Sequence, residues 1–412
     1  MTTGDPVPRV GSHDPRLEPF ARRLDALRRR GRERTLRVVA AGAEPWVEVD
    51  GRRLLNLSSN NYLGLATHPE VRDAAARAAD EMGAGSGSAR LLAGTDLAHQ
   101  ELEARFAAFK GAEAALLFGS GYMANLGVIP ALVGPGDLVF GDELNHASLV
   151  DGCRLSRADF HTFAHRDVAA LEGLLAAAAR SGQGGRRLVV TDSVFSMDGD
   201  CASLVEIAAC CDRYDALLYV DEAHATGCLG PAGRGLAAAA GLHGEAVISM
   251  STLSKAFGSL GAVVTGSRLV IDYFVNVCRT FLFTTALPAS VVAAALAALD
   301  VTEHEPELAT RLQQNAALLR AGLNDLGFDT LGSETQIVPV LVGEAEKTLA
   351  VAAALRERGV FVVAIRPPTV PAGQSRLRAS VMATHSDAEI ETALEAFASV
   401  RDLVRTPAAA HR

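Results

Sequence analysis

Short apolar runs alternate with alanine-rich stretches of helical length between about Asn60 and Leu287. The runs are ALLF from Ala115, LVF from Leu138, FHTF from Phe160, LVVT from Leu188, LLYVD from Leu217, AVISM from Ala246 and AVVTG from Ala262. Runs this brief and this apolar suit strands covered on both faces, and their alternation with helices predicts a mainly parallel sheet in a three-layer α/β/α domain. After Pro288 a long alanine-rich helix leads into a second α/β segment. Its strands are expected at IVPVLVG from Ile337, VFVVAI from Val360 and RLRASV from Arg376, with a closing helix near 387–403. Upstream, the segment from Leu17 to Arg37 has a helical composition, and Asp50-Gly51 after the apolar Trp46 and Val47 marks a hairpin turn. The pattern divides the chain into an N-terminal arm (1–59), a large α/β domain (60–287) and a smaller C-terminal domain (288–412).

Composition narrows the function. The 412 residues are 49% hydrophobic, enough for a large core, and 39 basic against 48 acidic residues give a net charge of −9. Such a balance does not attract nucleic acid, so no nucleic-acid partner is expected. Six cysteines without paired C-x-x-C spacing argue for a reduced, cytoplasmic setting and against a metal centre or disulfide scaffold. Charges interrupt every apolar stretch short of a membrane span, and the proline-containing leader MTTGDPVPRVGSHDPR reads as neither signal peptide nor anchor.

There are three lysines, Lys110, Lys255 and Lys347. Lys110 closes a helix striped by Leu102, Phe106 and Phe109, where a cation compensates the helix dipole, and Lys347 lies in a polar helix start. Lys255 instead follows a buried strand inside STLSKAFGSLGA, among small and hydroxyl residues. Burial would lower its pKa and free a neutral amine for Schiff-base chemistry; a structural ion pair is the alternative.

ALLFGSGYMANLGVI reads as strand, glycine turn and helix, aiming the amides of Ser120, Gly121 and Tyr122 at an anion. Gly119, Gly121 and Ala124 also fit a dinucleotide-binding pattern with Asp142 as the ribose acid, so a nicotinamide oxidoreductase is an alternative at this point. Pyridoxal phosphate would require a lysine, a phosphate cradle and a carboxylate for its ring nitrogen. Asp221, at the end of the apolar LLYVD, could supply the carboxylate; a helix cap or buried salt bridge is the other reading. His224 could meet the phenolic oxygen of that ring and His146 could stack on its face.

The ordered motifs SSNNYLGL, GAGSGSARLLAGTDLAHQELE, FGSGYMAN, DELNHASLVDG, TDSVFSMDGD, VDEAHATG, STLSKAFGSLGA, FTTALP and IRPPTVPAGQSRLR resemble the α-oxoamine synthases, fold type I pyridoxal phosphate enzymes, over about residues 34–385. The closest likeness is to the biotin-pathway branch, which condenses L-alanine with a pimeloyl thioester and releases carbon dioxide. Glycine-using and other family acyltransferases share most of these motifs. The resemblance implies pyridoxal 5'-phosphate on Lys255, Asp221 at its ring nitrogen, His224 and Ser196 at its phenolic oxygen and His146 on its face. It implies a phosphate site of Ser120, Gly121, Tyr122 and Thr252, joined by Thr284 and Thr285 from a second subunit of a homodimer. Arg378 would hold the amino-acid carboxylate and Arg34 the acyl substrate, carried on coenzyme A or acyl carrier protein; Asn60 and His99 would lie on the substrate side. Ser254 before the lysine and Ala89 in the glycine-serine loop depart from the family pattern. The arginines crowded between Arg22 and Arg37 read mainly as a solvated helix face, some of them available to coenzyme A phosphates.

Overall fold

The computed structural model describes residues 14–182 and 185–405. The leader up to residue 13 and the tail TPAAAHR lie outside the described residues. The strands, in chain order, are β1 (Val39–Ala40), β2 (Trp46–Val49), β3 (Arg52–Asn56), β4 (Ala114–Phe118), β5 (Leu138–Asp142), β6 (Asp159–Phe163), β7 (Arg187–Asp192), β8 (Leu217–Asp221), β9 (Val247–Thr252), β10 (Ala262–Gly266), β11 (Ile337–Gly343), β12 (Val360–Phe361), β13 (Val363–Ile365) and β14 (Ser375–Ser380).

The central sheet has the order β4-β10-β9-β8-β7-β5-β6. Six strands run in one direction, and β10 alone is antiparallel to both its neighbours, β4 and β9. Its strands are almost wholly buried, apart from the edge strand β6. Helices cover both faces, as the apolar runs require. The order places the C-terminal ends of β7, β8 and β9 side by side, with Asp192 opposite Asp221 and Asp221 opposite Met250. In an open parallel sheet this is where ligands bind.

The arm helix ends earlier than its composition predicts, spanning Glu18–Arg29 with no buried residue. Gly31 at φ +60° and the bonds from Gly31 N–H to Arg28 O and Arg32 N–H to Leu27 O terminate it. The expected hairpin joins β2 to β3, with Asp50 and Gly51 both at positive φ. VFVVAI, read as one strand, is two: β12 pairs in parallel with β3 of the arm, and β13 pairs with β14. The arm and the C-terminal segment therefore share one four-stranded sheet, while β11, β14 and β13 form a separate antiparallel one.

Lys110 is not simply a solvated dipole cation. Its amine is buried against Glu222 at 2.5 Å, with Thr226 Oγ1 at 3.1 Å and Arg234 O at 2.5 Å. The helix carries it inward because Phe106 and Phe109 pack on Phe257. Asp142, the ribose acid of the nicotinamide alternative, is spent on His165 Nδ1 at 3.0 Å and on the amides of Leu144 and Arg166.

The loop after β7 is bonded to the C-terminal segment. Arg378 Nε donates to Ser196 O at 2.5 Å, Arg376 pairs with Asp198, Thr335 donates to Gly199 O at 3.0 Å, and Asp200 takes His165 Nε2 at 2.8 Å. Gly199 is at φ +70°, and a Cβ there would lie 2.1 Å from Ile337 O. Desolvation opposes charge on His165, but its bonds to Asp142 and Asp200 outweigh it and raise its pKa to about 9. This value lies above the ordinary 6.5, so the stabilisation is complete below pH 6.5 and is lost as pH rises through about 9. With solvent screening of the partly exposed ring the contribution is about 1–2 kcal/mol. Between pH 7 and pH 10 the urea midpoint of the wild type should fall further than that of His165→Gln; parallel curves would remove His165 from this role.

Candidate active site

Lys255 lies in the hairpin between β9 and β10. Leu253 N–H donates to Gly261 O at 2.9 Å and Gly258 N–H to Lys255 O at 3.0 Å. Gly258 adopts φ +61°, and a Cβ there would lie 2.1 Å from Ala66 N, so the lysine loop sits directly on the segment after SSNNY. Lys255 is partly buried, and its Nζ is 2.9 Å from His224 Nε2. Desolvation, partly offset by Asp221, lowers the amine to about pKa 8.

His224 follows β8 in a turn closed by Ala225 N–H and Thr226 N–H on Glu222 O. Its Nδ1 is 2.7 Å from Tyr62 Oη. Burial, with the charges of Lys255 and Arg378, lowers its pKa well below the ordinary value. The ring is therefore neutral, with one nitrogen donating and the other accepting. Burial raises the Tyr62 phenol to about 12, so it keeps its proton. Arg378 Nη2 is 3.4 Å from Tyr62 Oη, and Nη1 donates to Asn60 Oδ1 at 3.2 Å and Ser380 Oγ at 3.0 Å. Arg378, buried and bonded to neutral acceptors, is available to a carboxylate.

Asp221 closes β8 with 3% of its surface exposed. Asn125 Nδ2 and Ala223 N–H donate to it, each at 2.9 Å. Both donors are neutral, so a cationic guest would complete the pairing of this buried charge. Asp192, opposite on β7, takes His146 N–H at 2.7 Å. Burial and the neighbouring Asp221 raise its pKa well above the carboxylate range. His146 caps the helix Ala147–Ser156 through its ring and keeps part of the ring accessible.

Ser120 caps the helix Gly121–Leu132. Its Oγ accepts Met123 N–H at 3.2 Å and its carbonyl accepts Ala124 N–H, which leaves the leading amides without intrahelical partners. A Cβ at Gly121 would meet Met250 at 3.2 Å, so glycine keeps this turn against the end of β9. Thr252 Oγ1 donates to Gly261 O at 3.1 Å. A phosphate-bearing aldehyde with a basic ring nitrogen fits this set. The helix N-terminus suits the phosphate, the lowered amine of Lys255 the aldehyde, and Asp221 the nitrogen.

The structure thus joins Asn60, Arg378, His224 and Lys255 in one network, with Ser196 bonded to Arg378 through its carbonyl. Among the described residues no hydrogen bond links Arg34, Thr284 or Thr285 to that network. Arg34 donates to Thr369 Oγ1 at 3.1 Å, and Thr285 pairs with Ala89 in an isolated antiparallel bridge. Tyr122 is exposed and bonds Asp151. His99 is fully buried, its Nδ1 2.7 Å from Asp96 Oδ1 in a capping box. Ser254 Oγ sits 3.3 Å from both N and O of Gly261, bracing the lysine hairpin. Sequence reasoning missed Tyr62, Asp192 and Asn125. The polar cluster SSNNY and the acid closing LVVTD were the available signals for the first two.

The family model described as aminotransferase class I and II matches residues 52–397. An 8-amino-7-oxononanoate synthase of Anaeromyxobacter dehalogenans is 54% identical over 384 residues, covering 93% of this chain and 96% of that protein. One of Citrifermentans bemidjiense is 51% identical over 379 residues, 92% and 96% of the two chains. Among solved structures, a Sphingomonas wittichii serine palmitoyltransferase superposes with a TM-score of 0.88 at 34% identity, covering 95% and 99%.

Lys255 of the cofactor-free protein should react with an amine reagent with a midpoint near pH 8, read by peptide mass spectrometry. A midpoint near the ordinary lysine value of about 10.4 would show that the site does not depress this amine.

Proposed function

The chain belongs to the aminotransferase class I and II family, and from that premise we propose that it condenses L-alanine with a pimeloyl thioester to give 8-amino-7-oxononanoate, carbon dioxide and the free thiol, a step of biotin synthesis. The single observation that carries the reaction type is the buried Lys255–His224–Tyr62–Arg378 chain beside Asp221. About half-identity to the curated synthases over nearly the whole chain carries the choice of substrate.

Pyridoxal 5'-phosphate is the cofactor in this reading. When bound it supplies an aldehyde that condenses with amines and a ring that accepts the electron pair of the substrate α-carbon. Ser120, Gly121, Tyr122 and Thr252 hold the phosphate, with Thr284 and Thr285 reaching it from a second subunit of a homodimer. Asp221 would hold a proton on the ring nitrogen, with His146 at the ring and His224 and Ser196 towards its phenolic oxygen. Arg378 binds the alanine carboxylate. Lys255 Nζ, lowered to about pKa 8, takes the α-proton as general base and later returns one. Arg34 faces the acyl substrate, some of the arginines before it are available to the phosphates of its carrier, coenzyme A or an acyl carrier protein, and Asn60 lies beside the amino-acid site. The domain division at residues 59 and 287 puts the cofactor floor in the large domain and the carboxylate arginine in the small one. Among the described residues no helix is long and apolar enough to cross a membrane and all six cysteines are free, which supports a cytoplasmic enzyme.

Purified protein given L-alanine and pimeloyl-CoA should release carbon dioxide and free thiol in equal amounts, and far less with glycine and acetyl-CoA. The reverse preference would reject the substrate reading. Asp221→Asn should slow turnover by roughly two to four decades, the rate equivalent of the ~3–5 kcal/mol for breaking a buried ion pair. Borohydride should fix the cofactor to the Lys255 peptide; fixation persisting in Lys255→Ala would reassign the lysine.

A further inference from the structure

Beneath the two groups assigned to the cofactor ring runs one buried chain of hydrogen bonds. Tyr219 and Asp221, two apart on β8, project to the same face of the sheet. Asn125, on the helix Gly121–Leu132, lies over both. Tyr219 Oη donates to Asn125 Oδ1 at 2.7 Å; Asn125 Nδ2 donates to Asp221 Oδ2 at 2.9 Å and to Ser148 Oγ at 2.8 Å; Ser148 Oγ is 2.7 Å from His146 Nδ1. Asn125 and Tyr219 are fully buried, so water cannot replace either partner. Gly152 allows the two helices to meet here, since a Cβ there would lie 2.7 Å from Asn125 O.

The direction of the bonds at Asn125 follows from donor counting. A carboxylate only accepts, so the Asn125 NH2 group must face Asp221, and its carbonyl must then take the Tyr219 proton. Both Asn125 N–H donors are spent, one of them on Ser148 Oγ. The Ser148 proton is left for His146 Nδ1, towards which Ser148 N–H also points at 3.3 Å.

We propose that Asn125, backed by Tyr219, is a positioning residue that acts through Ser148 to hold His146 as a neutral imidazole with its proton on Nε2, while the same side chain orients Asp221. Four ionisable groups face His146: Asp221 on β8, Asp192 on β7 through the His146 backbone amide, Asp151 on its own helix, and Lys255 in the β9–β10 hairpin. Desolvation lowers the imidazole pKa, Asp221 and Asp151 oppose that, and Lys255 reinforces it. Two donors converging on Nδ1 favour the neutral ring further. The consequence for the cofactor rests on the reading that His146 lies on its ring: a neutral imidazole does not repel the positive charge that Asp221 holds on the ring nitrogen, whereas an imidazolium would.

Two readouts independent of turnover test this. In long-range proton–nitrogen spectra of histidine-labelled protein, His146 should show a bare Nδ1 and protonated Nε2 between pH 6 and 8. Ser148→Ala should give mixed tautomers and a titration moved towards the ordinary value of about 6.5, and Ser148→Thr should restore the wild-type spectrum. Cofactor dissociation from wild-type holoenzyme should be indifferent to pH over that range. In Ser148→Ala and Asn125→Ala it should tighten from pH 6 to 8 by about tenfold. The double variant His146→Phe/Ser148→Ala should lose that pH dependence. A wild-type tautomer spectrum in Ser148→Ala, or weakening of cofactor equal at all pH values in both variants, would overturn the proposal. A changed tautomer with pH-indifferent binding would uphold the tautomer assignment and overturn the place of His146 on the ring.

Discussion

A buried carboxylate held by neutral donors governs this molecule. Asp221 ends β8 where the parallel strands of the sheet run out, and its two hydrogen bonds come from an amide side chain and a backbone amide. The desolvation cost of such a charge is several kcal/mol unless a cation meets it. The nearby candidates are constrained: Lys255 is shared with His224 and Lys110 is locked to Glu222 on the far side of the same loop. Asp192 faces the conflict more directly: burial, and then the charge of Asp221 in register on the adjacent strand, raise its pKa. A guest with a protonatable ring nitrogen resolves this imbalance, which is why the sheet ends make sense as a cofactor floor.

The C-terminal segment enters through bonds that also build the site. The loop from Ser196 to Asp200 touches Arg378, Arg376, Thr335 and His165, so the residue assigned to the phenolic oxygen and the arginine assigned to the substrate carboxylate are fixed by one short segment. Its glycine at 199 has no room for a side chain against Ile337 O. The arm and the C-terminal segment are likewise joined by the β3–β12 pairing and by Arg366, which reaches back to Gly31 O and Glu33 O. The substrate side of the site is thus assembled from parts far apart in sequence.

That assembly sets the boundary of what the sequence disclosed. The strands of the central sheet were legible because each is an apolar run short enough to exclude a helix, and Lys255 because lysine is scarce here and this one stands among small residues. Asp221 was legible as an acid ending such a run. Lys110 was misread because a terminal helix cation and a buried ion-pair partner have the same local pattern; only the packing of Phe106 and Phe109 on Phe257 decides between them. VFVVAI was read as one strand because periodicity does not encode that Val360 and Val363 pair with different sheets. The roles of Tyr62, in spite of the SSNNY cluster around it, and of Asn125 were missed for a related reason. Their roles arise from hydrogen bonds spanning 162 and 96 positions of sequence, to His224 and Asp221 respectively, and no local window contains such a partner.

The chain from Arg378 through Tyr62 and His224 to Lys255 also links the two cations of the site. The Arg378 charge lowers the Lys255 pKa, and Asp221 raises it. On the proposed reading, a substrate carboxylate on Arg378 would cancel part of the first influence on the amine. The neutral His224 between them can follow this change by exchanging the roles of its two nitrogens, accepting at Nε2 while donating to Tyr62, or the reverse. The two ends of this chain, Lys255 in the β9–β10 hairpin and Arg378 on β14, are far apart in sequence, and the loop after β7 fixes the second of them through Ser196 O.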